Sequence, residues 1–464
     1  MMSTKFIAVL TLVLNILGVN SYFFSSNASA YQRLDLHERH SSFGAVVCVQ
    51  DEVAIVSAPY YSFNEFHDPD GMLYVYRRDN GFWTLIRGIT DLDYDNAFGL
   101  SVAMHTDYFT VVGAPRDNKY GVRSGTVYYL EVESNPYKTQ MEVKQLIQSE
   151  RHQGALFGTS VAVGLVLNEV TIVVGAPNHR GIGAVFTYTR QHDGTLGNEE
   201  ILYPSGYAPV AFGRGVQVGQ NMVLGGAPGG KNGYVYVFQR GSGLSSGSFT
   251  ETSVLTGISG YTDDADDDQD QQYEILKQVE EFGETISIGE GFVFVGAPYA
   301  YSQTDRGTSY GAVTVYTFST DADGINEGFL MQEILTPTHL TASGVNSFYG
   351  KSISYSDSEQ RLVVGSPYGS YPSTSLGAAT VYVFDTFQNT FEQEAILTVD
   401  SYKPDANMGD LENYGETERA GFGSSVSISG GYILVGAPQG ASHYGDAYFF
   451  AANGVGYVHS YVVS

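Results

Sequence analysis

Two short signatures alternate along the chain, and their recurrence restricts the fold more than any other property of the sequence. Phe-Gly stands at Phe43, Phe98, Phe157, Phe212, Phe282 and Phe422, with Tyr349-Gly350 in its place once. Each is followed by a small-residue triplet: Ser57-Ala58-Pro59, Gly113-Ala114-Pro115, Gly175-Ala176-Pro177, Gly226-Ala227-Pro228, Gly296-Ala297-Pro298, Gly365-Ser366-Pro367 and Gly436-Ala437-Pro438. Seven units result, spaced 55, 59, 55, 70, 67 and 73 residues apart. Each unit reads as four strands. Strand A starts at Phe-Gly, strand B runs into the triplet, and strand C is an aromatic alternation such as Val235-Tyr236-Val237-Phe238. Strand D is a weaker run such as Phe82-Trp83-Thr84-Leu85-Ile86, entered through the hairpin dipeptide Asn80-Gly81. The expected fold is therefore all-β, a seven-bladed propeller of four-stranded antiparallel blades, forming one domain over residues 31–464.

Comparing the repeats with one another supports that arrangement. Counted from Phe-Gly, the fifth residue is Val47, Val102, Val161, Val216, Ile286, Ile353 or Val426, always β-branched and apolar. The sixth is Cys48, Ala103, Ala162, Gln217, Ser287, Ser354 or Ser427, small in every unit but one. An innermost strand near the propeller axis has room for bulk on one face and little on the other. Cys48 is then the small residue of the first blade, an inert thiol and not a nucleophile. Trp83, the only tryptophan, reads as outer-strand packing.

The balance of 23 basic against 50 acidic side chains gives a net charge of -27, which repels phosphate backbones and excludes nucleic acid as a partner. One cysteine excludes an intramolecular disulfide and a multi-cysteine zinc site. At the N-terminus, Lys5, the apolar run Phe6 to Val19 and Ala28-Ser29-Ala30 read as a secretory signal peptide over residues 1–30, cut before Tyr31. A cut before Tyr22 is the alternative, and it retains the sequon Asn27-Ala28-Ser29. The apolar run is shorter than the roughly 20 residues a spanning helix needs, so the protein is expected to be exported and soluble, without a membrane span.

These repeats resemble the FG-GAP repeat, and the chain from about Ser42 onward is similar to the seven-bladed propeller of integrin α subunits and related extracellular proteins. The resemblance implies an adhesion or binding role. It also implies calcium loops of the form Asp-x-Asp-x-Asp-Gly between strands A and B, but the corresponding connections here, for example Gln50-Asp51-Glu52 and Gly289-Glu290-Gly291, lack that spacing. Integrin α subunits continue into leg domains and a membrane span, so the chain is not expected to be a complete subunit. Either Gly456 to Ser464 or Tyr31 to Leu36 can supply the last strand of the seventh blade.

Two sets of loops carry the candidate sites, and both are expected on one rim. Acid gathers in the connections from strand D to the next strand A. There Asp264, Asp266, Asp268 and Asp270 are candidate calcium ligands, although Gln269 and Ile275 stand where a standard calcium loop has glycine and glutamate. Asp91-Leu92-Asp93-Tyr94-Asp95 and the group Asp405, Asp410 and Glu412 are similar acidic connections, and Asp321-Ala322-Asp323-Gly324 is a second calcium candidate. The B–C loops carry Tyr60, Tyr61, Arg116, Tyr120, His179, Arg180, Tyr299, Tyr301, Arg306, Tyr368, Tyr371, His443 and Tyr444, with His67, Asn178 and Lys231 beside them. Tyrosine offers a rigid ring with a hydrogen-bonding tip, which suits recognition of an extracellular protein or carbohydrate. His67, His179 and His443 fall on equivalent loops, but blades one, three and seven need not bring them together. No nucleophile elbow, zincin motif or phosphate loop is present. The expected function is a secreted binding or adhesion module, with a polysaccharide-active enzyme or a structural matrix protein as alternatives.

Overall fold

The computed structural model describes residues 32–35, 41–61, 71–90, 97–106, 109–131, 143–191, 194–205, 210–229, 233–240, 247–257, 281–300, 310–320, 326–337, 347–369, 377–398, 421–438 and 445–451. Residues 1–30 and Gly456 to Ser464 lie outside them. Seven four-stranded antiparallel sheets follow one another around a ring. In blade one, strands A to D are Val47–Gln50, Val53–Ala58, Met72–Asp79 and Phe82–Ile89. Blade seven is assembled from both ends of the described chain: Ser425–Ser429, Tyr432–Ala437 and Asp446–Ala451 supply A to C, and Gln32–Asp35 pairs antiparallel with C as the fourth strand. Of the two closures open from sequence, the N-terminal one is formed. Among the described residues no helix is long and apolar enough to cross a membrane.

The two signatures make the same contact around the ring, with Ser57 in place of the triplet glycine between blades one and two. The Phe-Gly phenylalanines and Tyr349 are fully buried. They sit edge-on to a strand C aromatic of their own blade, as Phe43 does to Tyr74 and Phe98 to Tyr128, each at 5.5 Å. Blade six has Thr380 at the usual strand C position and the aromatic two residues later. There the Tyr349 hydroxyl meets the Tyr382 hydroxyl at 2.7 Å, a bond that Phe282 of blade five cannot make although its strand C aromatic, Tyr316, is shifted in the same way. The following glycine donates its N–H to the first residue of its own triplet, for example Gly158 to Gly175 at 3.0 Å. That triplet glycine in turn faces the next blade: a Cβ at Gly226 would lie 1.9 Å from the Gly283 carbonyl oxygen, and one at Gly436 would lie 2.0 Å from that of Gly44. Only glycine fits a backbone approach that close.

Phe-Gly itself belongs to a turn, a correction to the expected strand start. Strand A begins at the third or fourth residue after the opening aromatic, as at Ser101–Met104 and Thr285–Gly289. The residue before Phe-Gly is left-handed in every blade, from Ser42 at φ 52° to Gly421 at φ 68°. This bend carries the chain from the outer strand of one blade to the innermost strand of the next.

Strand A is the inner edge of each sheet, so alternate N–H groups have no strand partner. Serine hydroxyls on the preceding blade accept them: Ser425 from Val47 and Ser427 from Val49, both at 3.0 Å, Ser354 from Ile428 and Ser287 from Tyr355, both at 3.2 Å. The small sixth position is thus also a hydrogen-bonding position. The hydroxyl at the fourth position reaches the next blade too, where Ser101, Ser160, Thr285 and Ser352 donate to the Phe-Gly glycine carbonyls at 2.7–2.9 Å.

Cys48 packs against the apolar cluster between blades one and two, and burial pushes its thiol up to about 11 despite a backbone hydrogen bond with Met104. A thiol held protonated is a poor nucleophile. Trp83 lies between blades one and seven, stacked on Phe449 at 4.3 Å and edge-on to Tyr432 at 5.7 Å.

Candidate functional site

Phe-Gly fixes where the loops emerge. Parallel bridges join Gly125 to Phe157, Gly183 to Phe212, Gly311 to Tyr349, Gly377 to Phe422 and Gly445 to Phe43. Each places the end of a B–C loop beside the end of the D–A connection that enters the next blade. Both loop sets therefore share one rim.

On blades one and two the aromatic and basic residues of that rim pair across loops. The Arg116 guanidinium lies over the Tyr60 ring at 5.3 Å, and that of Arg151 over Tyr120 at 4.2 Å. The Tyr120 hydroxyl donates to Gln145 Oε1 at 3.3 Å. Buried Asp117 holds this loop, accepting from the Lys119 N–H at 2.7 Å and the Tyr128 hydroxyl at 3.3 Å. Tyr61 is half-buried at the start of the first B–C loop, where its N–H donates to Ala58.

Blade three places a histidine pocket on the same rim. His179 and Arg180 occupy a single 3₁₀ turn, His179–Gly181, with Arg180 left-handed at φ 50°. The turn sends the two side chains different ways: His179 is 1% exposed while Arg180 is exposed. The His179 ring is edge-on to Phe186 at 5.3 Å and to His152 at 4.5 Å. Its Nε2 lies 3.7 Å from Glu150 Oε2, which also pairs with Arg180. Burial first, then His152, lowers the His179 imidazole to about 4 against the pull of Glu150, so it is neutral at pH 7.

The rim over blades four to six carries a charged triad beside an aromatic group. Glu284 receives two hydrogen bonds from Arg214 and one from Lys351, at 3.0, 3.0 and 2.9 Å. Burial works to raise its carboxyl, but Lys351 and Arg214 outweigh burial and hold it below the usual carboxylate value. All three residues follow a Phe-Gly or Tyr-Gly directly, in three successive repeats. Next to them Phe348 lies edge-on between Tyr299 at 4.7 Å and Tyr368 at 5.3 Å. The charges of Glu281, Lys351 and Glu284 act on Tyr299, so the aromatic group and the triad form one sector.

Tyr60, Tyr61, Arg116, Tyr120, His179, Arg180, Tyr299 and Tyr368 thus stand on one rim but in two sectors. Tyr301, Arg306, Tyr371, His443 and Tyr444 lie outside the described residues, as do Asp264, Asp266, Asp268 and Asp270, together with His67 and Lys231. Sequence reasoning passed over Glu150, His152, Phe348 and the Arg214, Glu284 and Lys351 triad. The third residue of each repeat, counted from the opening aromatic and read across repeats, carries the triad's signal: Arg, Glu and Lys in successive units.

Ring, blade and rim define a seven-bladed β-propeller. Residues 83–130, from strand D of blade one to strand C of blade two, match the FG-GAP repeat family. The same Phe-Gly and Gly-Ala-Pro contacts recur around the ring outside the matched residues. No curated protein sequence matches the chain. Similar solved structures include a protein from Lactobacillus plantarum, with 12% identity and a TM-score of 0.47, and a candidate 6-phosphogluconolactonase from Bacteroides uniformis, with 11% identity and a TM-score of 0.48. Each comparison covers 83% of this chain and 89% of the other. Likeness at that level says nothing about activity.

Proposed function

We propose that the protein is an exported binding or adhesion module that recognises an extracellular protein or carbohydrate through the rim of B–C and D–A loops. The observation that carries this reading is the sector of half-buried Tyr299, Phe348 and Tyr368 beside the Arg214, Glu284 and Lys351 triad. Aromatic rings braced against one another present apolar area with little entropy left to lose, and adjacent fixed charges orient a polar ligand. The acidic surface favours a ligand with cationic or neutral hydroxyl-rich groups over a polyanion.

The test is binding of the full chain to a panel of immobilised purified matrix proteins and defined polysaccharides. The controls are the double variant Tyr299→Ala, Tyr368→Ala and the variant Phe387→Ala, which alters an exposed residue on a C–D hairpin at the other rim. The expected result is binding to at least one panel member, weakened about tenfold or more by the double variant and unchanged by Phe387→Ala. A panel without a ligand, or a ligand indifferent to the double variant, overturns the reading.

A further inference from the structure

We infer that Glu150, His152 and His179 form a site for a divalent first-row transition ion, zinc foremost. Two of these residues come from the D–A connection before blade three and one from that blade's B–C loop, so the Phe-Gly turn itself assembles the cluster. One ligand atom from each residue lies within 4.8 Å of the others. His179 Nε2 and Glu150 Oε2, at 3.7 Å, are close to the ~3.3 Å edge of a tetrahedron built on zinc bonds of about 2.0 Å.

A second observation points to the same ion. His179 is 1% exposed, and its Nε2 is buried with no hydrogen-bond partner. A buried polar atom in a folded protein is normally satisfied, and leaving one unpaired costs free energy. A metal ion between the two rings and the carboxylate supplies the missing partner.

The donor set selects the ion. Two imidazoles and one carboxylate suit zinc and its neighbours, whereas calcium and magnesium require mostly oxygen ligands. Three protein donors leave one tetrahedral position for water or for a donor from a bound molecule. Arg180 opposes the ion, because it adds positive charge and competes for Glu150 Oε2. The carboxylate has two oxygens, so pairing with Arg180 and ligation are compatible. A net charge of -27 raises the local concentration of cations.

The experiment uses the full chain freed of metal by a chelator, titrated with Co²⁺ and then Zn²⁺. The expected result is a visible cobalt band of tetrahedral intensity that zinc displaces and excess Ca²⁺ does not. His152→Ala is the deciding variant, because its side chain is half-exposed and its fold can be verified by a thermal melt in chelator. It should weaken zinc binding at least about a hundredfold, Glu150→Gln about tenfold, and Arg180→Ala should tighten binding. Absence of the band, displacement of zinc by calcium, or an affinity unchanged in folded His152→Ala overturns the assignment. Zinc binding is read without any rim ligand, so this test and that of the proposed function fail separately.

Discussion

Glu284 shows how a single residue can be tied to the pH range in which the ring is stable. It joins blades four, five and six by accepting from Arg214 and Lys351, and these two cations hold its carboxyl below the 4.5 of an unperturbed glutamate. A carboxyl with a lowered folded pKa binds its proton more readily in the unfolded chain. Its contribution is therefore fully present above about 4.5 and is lost as pH falls through the lower folded value. Glu284→Gln should cost about 2 kcal/mol at pH 7, where it removes charge-assisted hydrogen bonds from two cations. The same variant should lose less of its remaining stability than the parent between pH 5 and pH 3. Urea melts across that range read both effects, and equal acid sensitivity in the two proteins would show that Glu284 does not titrate as described. The residue was not legible as a site in the sequence, where it is an ordinary acid after Phe-Gly. Only its alignment with Arg214 and Lys351 across repeats gives it a meaning.

At the scale of the strand, the sequence revealed the position of each element better than the partners of its side chains. Repeated Phe-Gly and Gly-Ala-Pro signatures located all seven blades because a glycine-to-glycine approach recurs at six of the boundaries, with Ser57 in the glycine's place between blades one and two. Small residues at the sixth position were readable as a steric requirement, yet Ser354 and Ser427 are acceptors for backbone N–H groups of the next blade. The histidine cluster was hidden for a related reason. Comparison of equivalent loops set His179 beside His67 and His443, whereas its neighbour in space, His152, lies on the D–A connection that enters the same blade. The His179 cluster is built from two different loops that meet at the blade entrance, not from equivalent loops of distant blades. The serine ladder makes a quantitative prediction for its element. Ser427→Ala leaves the buried Val49 N–H on the inner edge without its acceptor and should destabilise the protein by about 1–3 kcal/mol. Ser427→Thr retains the hydroxyl and should cost less. A denaturation midpoint unmoved by the alanine variant would mean that water replaces the hydroxyl at no cost.

For the whole molecule, closure of the ring decides whether seven blades behave as one unit. Six sheets are made from consecutive strands, and the seventh takes Gln32–Asp35 from the start of the described chain. Gln32 faces Phe449, Arg33 Tyr448, Leu34 Ala447 and Asp35 Asp446 in register. Leu34 is buried in the cluster that also contains Phe43, Trp83 and Phe449, so the short strand is fixed by core packing as well as by its backbone ladder. It connects the first and last blades beside the stacked pair Trp83 and Phe449. Without it, strand Asp446–Ala451 becomes an open edge, a template for pairing with another chain. Deleting residues 32–35 should therefore lower the melting temperature and broaden the transition, with the loss greatest at blades seven and one. It should also produce dimers or larger species in which one molecule completes the blade of another. Leu34→Ala should give a milder form of the same change, costing about 2–3 kcal/mol while the protein stays monomeric. Calorimetry with light scattering and hydrogen exchange separates these outcomes. A deletion variant that stays monomeric and melts as sharply as the parent would show that another segment closes the ring in solution.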